Sequence, residues 1–280
     1  IDFITFSTTG NATDFGDLSS NRRNHRGNAS RIRNFAGGGY SDSAGAVRNT
    51  VEASIFASGG GSSSFCNLTA SRYVDAGGGN NIRGIHAGGH APNAPTLAGS
   101  IDVFDTSSGT NAVDFGDLTQ NRADTGGTAN KQKFVCFGGI SPSQVNTIDF
   151  VTISTLGNAA DFGDLTNAVR SQISASSNAV RACTYGGHDT SNRVDHIEFV
   201  TIATLANSTD FGNLSASRRI TNATSSPTRG VISGGYEDPA TVNKMEYIQF
   251  ATRGDALDFG DLTGAKYANT GAASNGHGGL

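Results

Sequence analysis

The sequence contains no tryptophan, one methionine and five prolines, and its three cysteines are an odd number. A disulfide framework needs an even set with purposeful spacing, so we expect Cys66, Cys136 and Cys183 to be free, mostly buried thiols. No run approaches the ~20 uninterrupted apolar residues that span a bilayer, which argues against membrane insertion. No signal peptide is recognisable. Because the first residue is Ile1 and not Met, we expect the chain to be part of a longer protein.

Charge is also scarce. Charged residues make up 16% of the 280 residues, and the net charge is −4, against a usual charged fraction of ~25%. This balance gives no general electrostatic reason to bind nucleic acid or an anionic membrane.

Groupings of residues that carry chemistry are missing as well. His86 and His90 in "HAGGH" would lie more than about 12 Å apart on a strand, too far to share a metal ion. We find no Ser/His/Asp arrangement and no phosphate loop after a strand. The sequence therefore predicts no cofactor, no metal site and no catalytic residue, and the chain is not expected to be an enzyme.

Glycine, in contrast, is abundant: 38 of 280 residues, roughly twice the usual ~7%. The tripeptide Asp161-Phe162-Gly163 resembles the magnesium-binding motif of protein kinases. It returns in register as "TDFGDLS" (13–19), "SSFCNLT" (63–69), "VDFGDLT" (113–119), "ADFGDLT" (160–166), "TDFGNLS" (209–215) and "LDFGDLT" (257–263). A kinase needs one such aspartate together with a strand lysine and a His-Arg-Asp loop, which this sequence lacks.

The residues around this element repeat too. A strand-like run precedes each copy and starts near Ile1, Val51, Ile101, Ile148, Ile197 and Ile248, at intervals of 50, 50, 47, 49 and 51 residues. A second strand-like run ends in a glycine pair, which is Gly38-Gly39, Gly88-Gly89, Gly138-Gly139, Gly186-Gly187, Gly234-Gly235 or Gly278-Gly279. Six units with a period near 50 indicate a solenoid, an array or a propeller, here a single domain over residues 1–280.

The local pattern predicts an all-β fold. In "IDFVTI" both faces of the run are apolar, as in a strand covered on both sides, and no segment keeps a helical period for three turns. Each unit reads as about four short strands, and face-to-face packing of neighbouring sheets in a ring buries them. We therefore predict a six-bladed β-propeller with four-stranded blades. Residues 1 to about 22 and 264 to 280 are predicted to form one hybrid blade.

The glycine pair, the variable loop, the following strand and an aromatic position resemble the Kelch repeat over all six units. The Kelch tryptophan is absent, and six phenylalanines stand in its place: Phe15, Phe65, Phe115, Phe162, Phe211 and Phe259. Three segments are similar in sequence to repeat proteins carried by tailed bacteriophages of marine bacteria: "TTGNATDFGDLS" (8–19), "NAADFGDLT" (158–166) and "TRGVISGGY" (228–236).

In the Asp-Phe-Gly-Asp-Leu element, we expect Phe and Leu to fill the space between blades, and Gly to permit a bulge on the outer strand. The first aspartate is expected to accept backbone hydrogen bonds in the preceding turn. The alternative is a repeated calcium site at the pairs Asp14/Asp17, Asp114/Asp117, Asp161/Asp164 and Asp258/Asp261. A cation loop needs more ligands than such a pair supplies.

Basic residues recur at two repeat positions. The first ring is Arg22, Arg72, Arg122, Arg170, Arg218 and Lys266; the second is Arg33, Arg83, Lys133, Arg181 and Arg229, with Ala273 breaking it. One reading is a cationic binding rim that receives an anionic glycan or a partner. The other is that each cation bonds loop carbonyls and the neighbouring repeat aspartate.

The resemblance to phage repeat proteins implies a structural or adhesion module of a virion, in a fibre, tail, neck or head surface. It would be extracellular and present in several copies, with other virion proteins and a host-surface glycan or protein as partners. A lectin-like propeller is the alternative, and a propeller enzyme a third. Binding function is expected at loop tips, in unit two and in "YEDPATVNKMEY" (236–247).

Overall fold

A computed structural model describes residues 1–92, 96–166, 173–266 and 270–280. Within these ranges the chain is all-β: it forms five four-stranded antiparallel sheets arranged as the blades of a propeller, and three two-stranded sheets. No helix occurs in these ranges, and so none that could cross a membrane. The predicted all-β propeller with four-stranded blades is confirmed.

The strand bounds are as follows in chain order: β1 (Asp2–Phe3), β2 (Thr13–Asp14), β3 (Arg26–Ala29), β4 (Arg33–Gly37), β5 (Tyr40–Ser41), β6 (Ala46–Val47), β7 (Thr50–Ile55), β8 (Ser63–Asn67), β9 (Ala76–Gly79), β10 (Arg83–Ala87), β11 (Ser100–Asp105), β12 (Val113–Asp117), β13 (Gly126–Ala129), β14 (Lys133–Phe137), β15 (Thr147–Thr152), β16 (Ala160–Asp164), β17 (Ser174–Ser177), β18 (Arg181–Tyr185), β19 (His196–Thr201), β20 (Thr209–Asn213), β21 (Asn222–Ser225), β22 (Arg229–Ser233), β23 (Tyr236–Glu237), β24 (Ala240–Thr241), β25 (Lys244–Gln249) and β26 (Leu257–Asp261). From the inner to the outer strand, the blades are β3-β4-β7-β8, β9-β10-β11-β12, β13-β14-β15-β16, β17-β18-β19-β20 and β21-β22-β25-β26.

Hydrophobic clusters fill the spaces between successive blades. Between blades two and three, Ile85 and Phe115 of blade two pack with Phe134 and Val151 of blade three, and all four side chains are buried. The middle strands of a blade supply apolar residues to both faces, which is why "IDFVTI" lacks a polar face. Burial of such side chains on both sides of each sheet is the main stabilising term of the ring.

Small residues line the central axis because the inner strands approach one another closely. A Cβ at Gly27 would lie 2.3 Å from the carbonyl oxygen of Ala272, and one at Gly127 would lie 2.9 Å from the Cβ of Ala76. The central cavity is correspondingly small, about 70 Å³. The axis is therefore packed and not an open channel.

The predicted blade count is wrong: the structure has five four-stranded blades and not six. The predicted hybrid blade is represented by a two-stranded sheet, β1-β2, and by residues 270–274 at the inner position, where Thr270 donates its N–H to Asn222 Oδ1 at 3.0 Å. The last residues turn over the centre of the ring, where the Gly278 N–H donates to the Ser177 carbonyl at 2.9 Å. Three glycines in residues 276–279 give this segment little strand propensity.

The N-terminal segment nevertheless closes the ring against blade five. Gly10 and Ala12 donate their N–H groups to the carbonyls of Phe259 and Asp261 at 2.7 and 2.8 Å. The same contact joins neighbouring blades elsewhere; for example, the N–H of Gly157 donates to the Phe115 carbonyl at 2.8 Å. Each outer strand edge is thus covered by the next unit, which protects it from pairing with another chain.

The register of the sixth unit differs from the sequence alignment. Met245 pairs with Gly260 beside the bulge, as Ile197 pairs with Gly212 in the preceding unit. The third strand of that unit therefore begins its repeat at Met245, three residues before Ile248.

Candidate functional site

The Asp-Phe-Gly element is a β-bulge. Ile148 pairs with Gly163 and Asp149 with Asp161, which leaves Phe162 as the extra residue on the outer strand. Phe162 is buried in a cluster with Leu165. The same register shift occurs in all five blades. The predicted bulge on the outer strand is confirmed, and the motif shapes the sheet.

Four of the repeat phenylalanines are buried and two are half-buried; the buried ones are Phe115, Phe162, Phe211 and Phe259, and the half-buried ones are Phe15 and Phe65.

The glycine of the element is required by a close approach of the next unit. Gly163 has φ of +143°, and a Cβ there would lie 2.7 Å from the carbonyl carbon of Ala206. Its N–H donates to Asp161 Oδ1 at 3.2 Å, a contact within the bulge and not in the preceding turn, where the first aspartate was expected to accept hydrogen bonds. These aspartates are exposed, and within the described ranges no three His, Cys, Asp or Glu side chains are grouped to hold a metal ion.

A buried acidic residue, the third residue of the third strand in each blade, was not singled out by the sequence reasoning. In blade three it is Asp149, which accepts hydrogen bonds from the N–H and Oγ1 of Thr119 at 3.1 and 2.7 Å. Thr119 follows the Asp-Leu of the preceding unit, so each acid is held from the neighbouring blade. The repeated "Ile-Asp" or "Ile-Glu" and "Leu-Ser" or "Leu-Thr" dipeptides were the available signal. The buried acids are Glu52, Asp102, Asp149, Glu198 and Glu246, and the half-buried Asp2 has the equivalent position in β1.

The first basic ring pairs with these acids inside its own blades. Arg122 Nη2 donates to Asp149 Oδ2 at 2.8 Å, and its Nη1 donates to the carbonyls of Gly138 and Thr147 at 2.9 and 2.7 Å. The sequence had suggested the aspartate of the repeat element as the carboxylate partner. The structure shows Asp149 in that role. The other pairs are Arg22 with Glu52, Arg72 with Asp102 and Arg218 with Glu246.

These four arginines of the first ring are buried, whereas Lys266 is exposed. Arg170 lies outside the described residues. Burial lowers the pKa of Arg218 to about 10, and the charge of Glu237 opposes that shift. The guanidinium stays charged at neutral pH.

The second basic ring connects neighbouring blades. Lys133 Nζ donates to the Ile202 carbonyl of the next blade at 3.1 Å and lies 4.7 Å from the centre of the Phe150 ring. The other carbonyl contacts are Arg33 to Thr106 at 3.3 Å, Arg83 to Ile153 at 2.5 Å, Arg181 to Phe250, and Arg229 to Phe6 at 2.8 Å. Binding of a ligand at either ring stays a prediction.

The glycine pairs turn the chain toward the face that bears the loop between the second and third strands of each blade; we call this the loop face. Gly138 and Gly139 have φ of +53° and +100°, and a Cβ at Gly139 would lie 2.4 Å from the Ala123 carbonyl oxygen. Four other pairs have the same positive-φ backbone, and Gly278-Gly279 does not: Gly38-Gly39, Gly88-Gly89, Gly186-Gly187 and Gly234-Gly235.

Three stacked pairs, each of which contains a tyrosine, lie just beyond these glycines on the loop face. Arg23 lies over the Tyr40 ring at 5.0 Å, and Tyr73 stacks on His90 at 5.1 Å between centroids. The third pair is Arg219 over Tyr236 at 5.6 Å. Sequence reasoning missed this set because the members of each pair come from two different repeat positions. Part of the predicted binding loop in unit two, residues 93–95, lies outside the described residues.

The opposite face, which we call the turn face, carries the turns between first and second strands. Ile32, Ile82 and Val180 occupy equivalent turn positions, and 60%, 63% and 56% of their surfaces are exposed. Leu156 and Leu205, in the loops between third and fourth strands, are exposed to similar extents. Aliphatic side chains at equivalent positions of several blades give this face an apolar character.

Two further titratable groups are enclosed in the core. His86 Nδ1 lies 2.6 Å from Asp75 Oδ2, and its Nε2 lies 2.8 Å from Asn28 Nδ2; the side chains of His86 and Asp75 are fully buried. This arrangement resembles a catalytic triad, but the side chains of His86 and Asp75 have no contact with solvent. His86 and His90 point to different surroundings, since His90 stacks on Tyr73.

The cysteine prediction is confirmed: all three are free and buried. Burial raises the pKa of Cys66 to about 12, that of Cys136 to about 11, and that of Cys183 further. Such thiols remain protonated and unreactive at neutral pH.

A scan against protein-family models gave no match for this chain, and a search of curated proteins gave no significant match.

Proposed function

We propose that this chain is a non-enzymatic structural and adhesion module of a bacteriophage virion, present in several copies. The observation that carries the proposal is the difference between the two faces of the ring. The loop face bears polar and aromatic side chains on loops that vary between units, while the turn face bears exposed Ile32, Ile82 and Val180. One face then suits recognition of a host surface, and the other suits attachment to further virion proteins.

The repeated polar groups support this reading because the blades themselves use them. The buried ion pair of Arg122 with Asp149 stabilises one blade, and the contact of Lys133 with the Ile202 carbonyl joins two blades, so their recurrence does not require a ligand. The stability of the ring accounts for them. Variation is left to the loops, where binding function is commonly placed.

The proposal is tested on particles of the phage whose genome encodes this chain. Immunogold labelling and mass spectrometry of purified virions are expected to find the chain in multiple copies per particle. An Ile82→Asp change on the turn face should reduce incorporation while the far-UV circular dichroism stays unchanged; Tyr236→Ala on the loop face should not reduce it. A chain found only in infected cells and never in purified particles contradicts the proposal.

Glycan binding is the second candidate, favoured by the stacked Tyr73 and His90 and by the Arg23–Tyr40 pair. Sugar sites combine an aromatic surface with polar partners. A glycan array is expected to give a signal that a Tyr73→Ala variant loses. An array without any signal would remove this candidate and leave the structural module.

A further inference from the structure

Arg48 interrupts the repeat at a loop-face position that is apolar in the other blades. Its N–H donates to the carbonyl of Gly39, the second glycine of the pair in blade one, at 2.8 Å. The residues that make the same backbone contact in blades two to five are Ala98, Val145, Val194 and Val242. Neither of the two basic rings contains Arg48, so its charge has no part in the repeated ion pairs that stabilise the blades.

The guanidinium of Arg48 has no acidic partner. No carboxylate lies within 4.0 Å of it in the described ranges, and the residues outside those ranges include no Asp or Glu. Its Nε is buried without an acceptor among the described residues. Burial lowers the pKa of Arg22, Glu52 opposes that shift, and the charge of Arg48 adds to it, so the two arginines lie near each other. A buried N–H without an acceptor, beside a like charge, is unfavourable for the fold alone and suits an anionic ligand.

The backbone of Arg48 lies between two neighbouring tyrosine pairs of the loop face. Its N–H bonds the residue that precedes Tyr40, and its carbonyl accepts the N–H of Arg72, the residue before Tyr73, at 3.2 Å. Arg23 is held on the same segment, because the Tyr40 N–H donates to the Arg23 carbonyl at 2.8 Å. Two arginines and two tyrosines thus come together on adjoining segments of blades one and two.

Arg23 supplies a second cation that a ligand can reach. Its Nε lies 3.1 Å from Asp42 Oδ1, and 50% and 63% of the two side chains are exposed. An exposed pair of this kind contributes little to stability, so a ligand carboxylate can replace Asp42 at the guanidinium. Arg22, Arg23 and Arg48 have only two carboxylate partners within the described residues. One positive charge is therefore left over at this place, in a chain whose net charge is −4.

Blade five repeats the arginine–tyrosine pair without this excess of positive charge. Arg219 lies over the Tyr236 ring, but the next two residues are the acids Glu237 and Asp238. They lie 3.3 and 2.7 Å from two other arginines of the loop face. Val242 stands there in the position of Arg48. The combination of an unpaired arginine with the tyrosine pairs thus distinguishes blade one from blade five.

We propose that this part of the loop face binds the carboxylate of an acidic sugar. Arg48 and Arg23 donate to the carboxylate, whose two oxygens match the planar fork of a guanidinium. The rings of Tyr40 and Tyr73 supply the aromatic surface that sugar sites combine with polar groups. A neutral sugar leaves Arg48 without an acceptor, which is the basis of selectivity. The inference rests on the glycan-binding candidate, for which it names the class of sugar and the selecting residues; it does not depend on the virion assignment.

The test is isothermal titration calorimetry of the full chain with trigalacturonate and with its methyl ester, which has the same sugar rings without the charge. The free acid is expected to bind at least about tenfold more tightly, because only its carboxylates accept from the guanidinium groups. Arg48→Val, which copies blades three to five, should lower the affinity for the acid at least about tenfold without lowering the thermal unfolding temperature. Arg31→Val removes an exposed positive charge from the turn face and should leave the affinity unchanged.

A glycan array that includes uronate and sialylated saccharides extends the test to other acidic sugars. Signals are expected on acidic members and should be lost in Arg48→Val; an acidic ligand found there takes the place of trigalacturonate in the calorimetry. Equal affinity for acid and ester, or signals on neutral glycans alone, would refute the inference while glycan binding stands. No array signal and no heat of binding would remove both. Acidic sugars that bind Arg48→Val undiminished, or equal losses in Arg48→Val and Arg31→Val, would show that Arg48 does not select the anion.

Discussion

Replacing Arg122 by Met tests whether the buried ion pairs of the first basic ring stabilise the blades from within. Arg122 and Asp149 are both completely buried, and the guanidinium makes three hydrogen bonds, to Asp149 and to two carbonyls. Methionine has a similar length without charge. The change leaves a buried carboxylate without its cation, although Thr119 still donates two hydrogen bonds to it.

We expect Arg122→Met to lower the free energy of unfolding by about 3–5 kcal/mol, the usual cost of breaking a buried pair from one side. The double variant Arg122→Met/Asp149→Leu should regain at least about 2 kcal/mol of that loss, since no buried charge remains. Urea unfolding followed by far-UV circular dichroism and tyrosine fluorescence measures both values.

The chain supplies a matched control at the exposed member of the same ring. Lys266→Met should change stability by less than about 0.5 kcal/mol, as for surface substitutions generally. If Arg122→Met costs no more than Lys266→Met, or if the double variant is less stable than the single one, the reasoning about the buried pairs is wrong.

Two other changes probe single repeat positions. Burial lowers the pKa of His25 from 6.5 to about 3, with Arg22 and Arg26 adding to the shift. On acidification the unfolded chain therefore binds a proton at His25 before the folded chain does. The contribution of neutral His25 to the free energy of unfolding should be fully present above pH 6.5 and fall by about 1.4 kcal/mol per pH unit below it. His25→Thr, which copies Thr125 of blade three, should flatten that slope in pH-dependent urea titrations; an unchanged slope refutes the assignment. Gly163→Ala should cost over about 1 kcal/mol more than Gly157→Ala in thermal unfolding, because both have φ near +145° but only Gly163 faces backbone within 4 Å. Equal costs would mean that the close approach is unimportant.

The sequence predicts the four-stranded blades and the bulge well because both follow from local patterns. The alternation in "IDFVTI" and the repeated glycine are read directly from neighbouring residues, and β15 and β16 form as expected. The partner of Arg122 could not be found in this way. Asp149 lies 27 residues further along the chain and meets Arg122 only when the third strand is placed within its blade.

The blade count failed for a different reason. Gly278-Gly279 has the same two residues as the other glycine pairs, but its spacing differs. Gly278 lies 12 residues after Lys266, whereas Gly138 lies 16 residues after Arg122. Ser274 still accepts the N–H of Gly276 at 3.0 Å, as Ser226 accepts that of Thr228 at 3.3 Å. The turn after the inner position therefore begins normally, and the glycines that follow do not continue as a strand.

Closure of the ring by the N-terminal segment is tested most directly by one distance. Nitroxide labels at Thr9 and Ala265, both exposed, lie on segments joined by the contacts of Gly10 with Phe259 and of Asp2 with Thr263. Double electron–electron resonance should give a main distance below about 25 Å. An open stack of units spaced ~10 Å apart would give about 50 Å, and that result would contradict the closed ring.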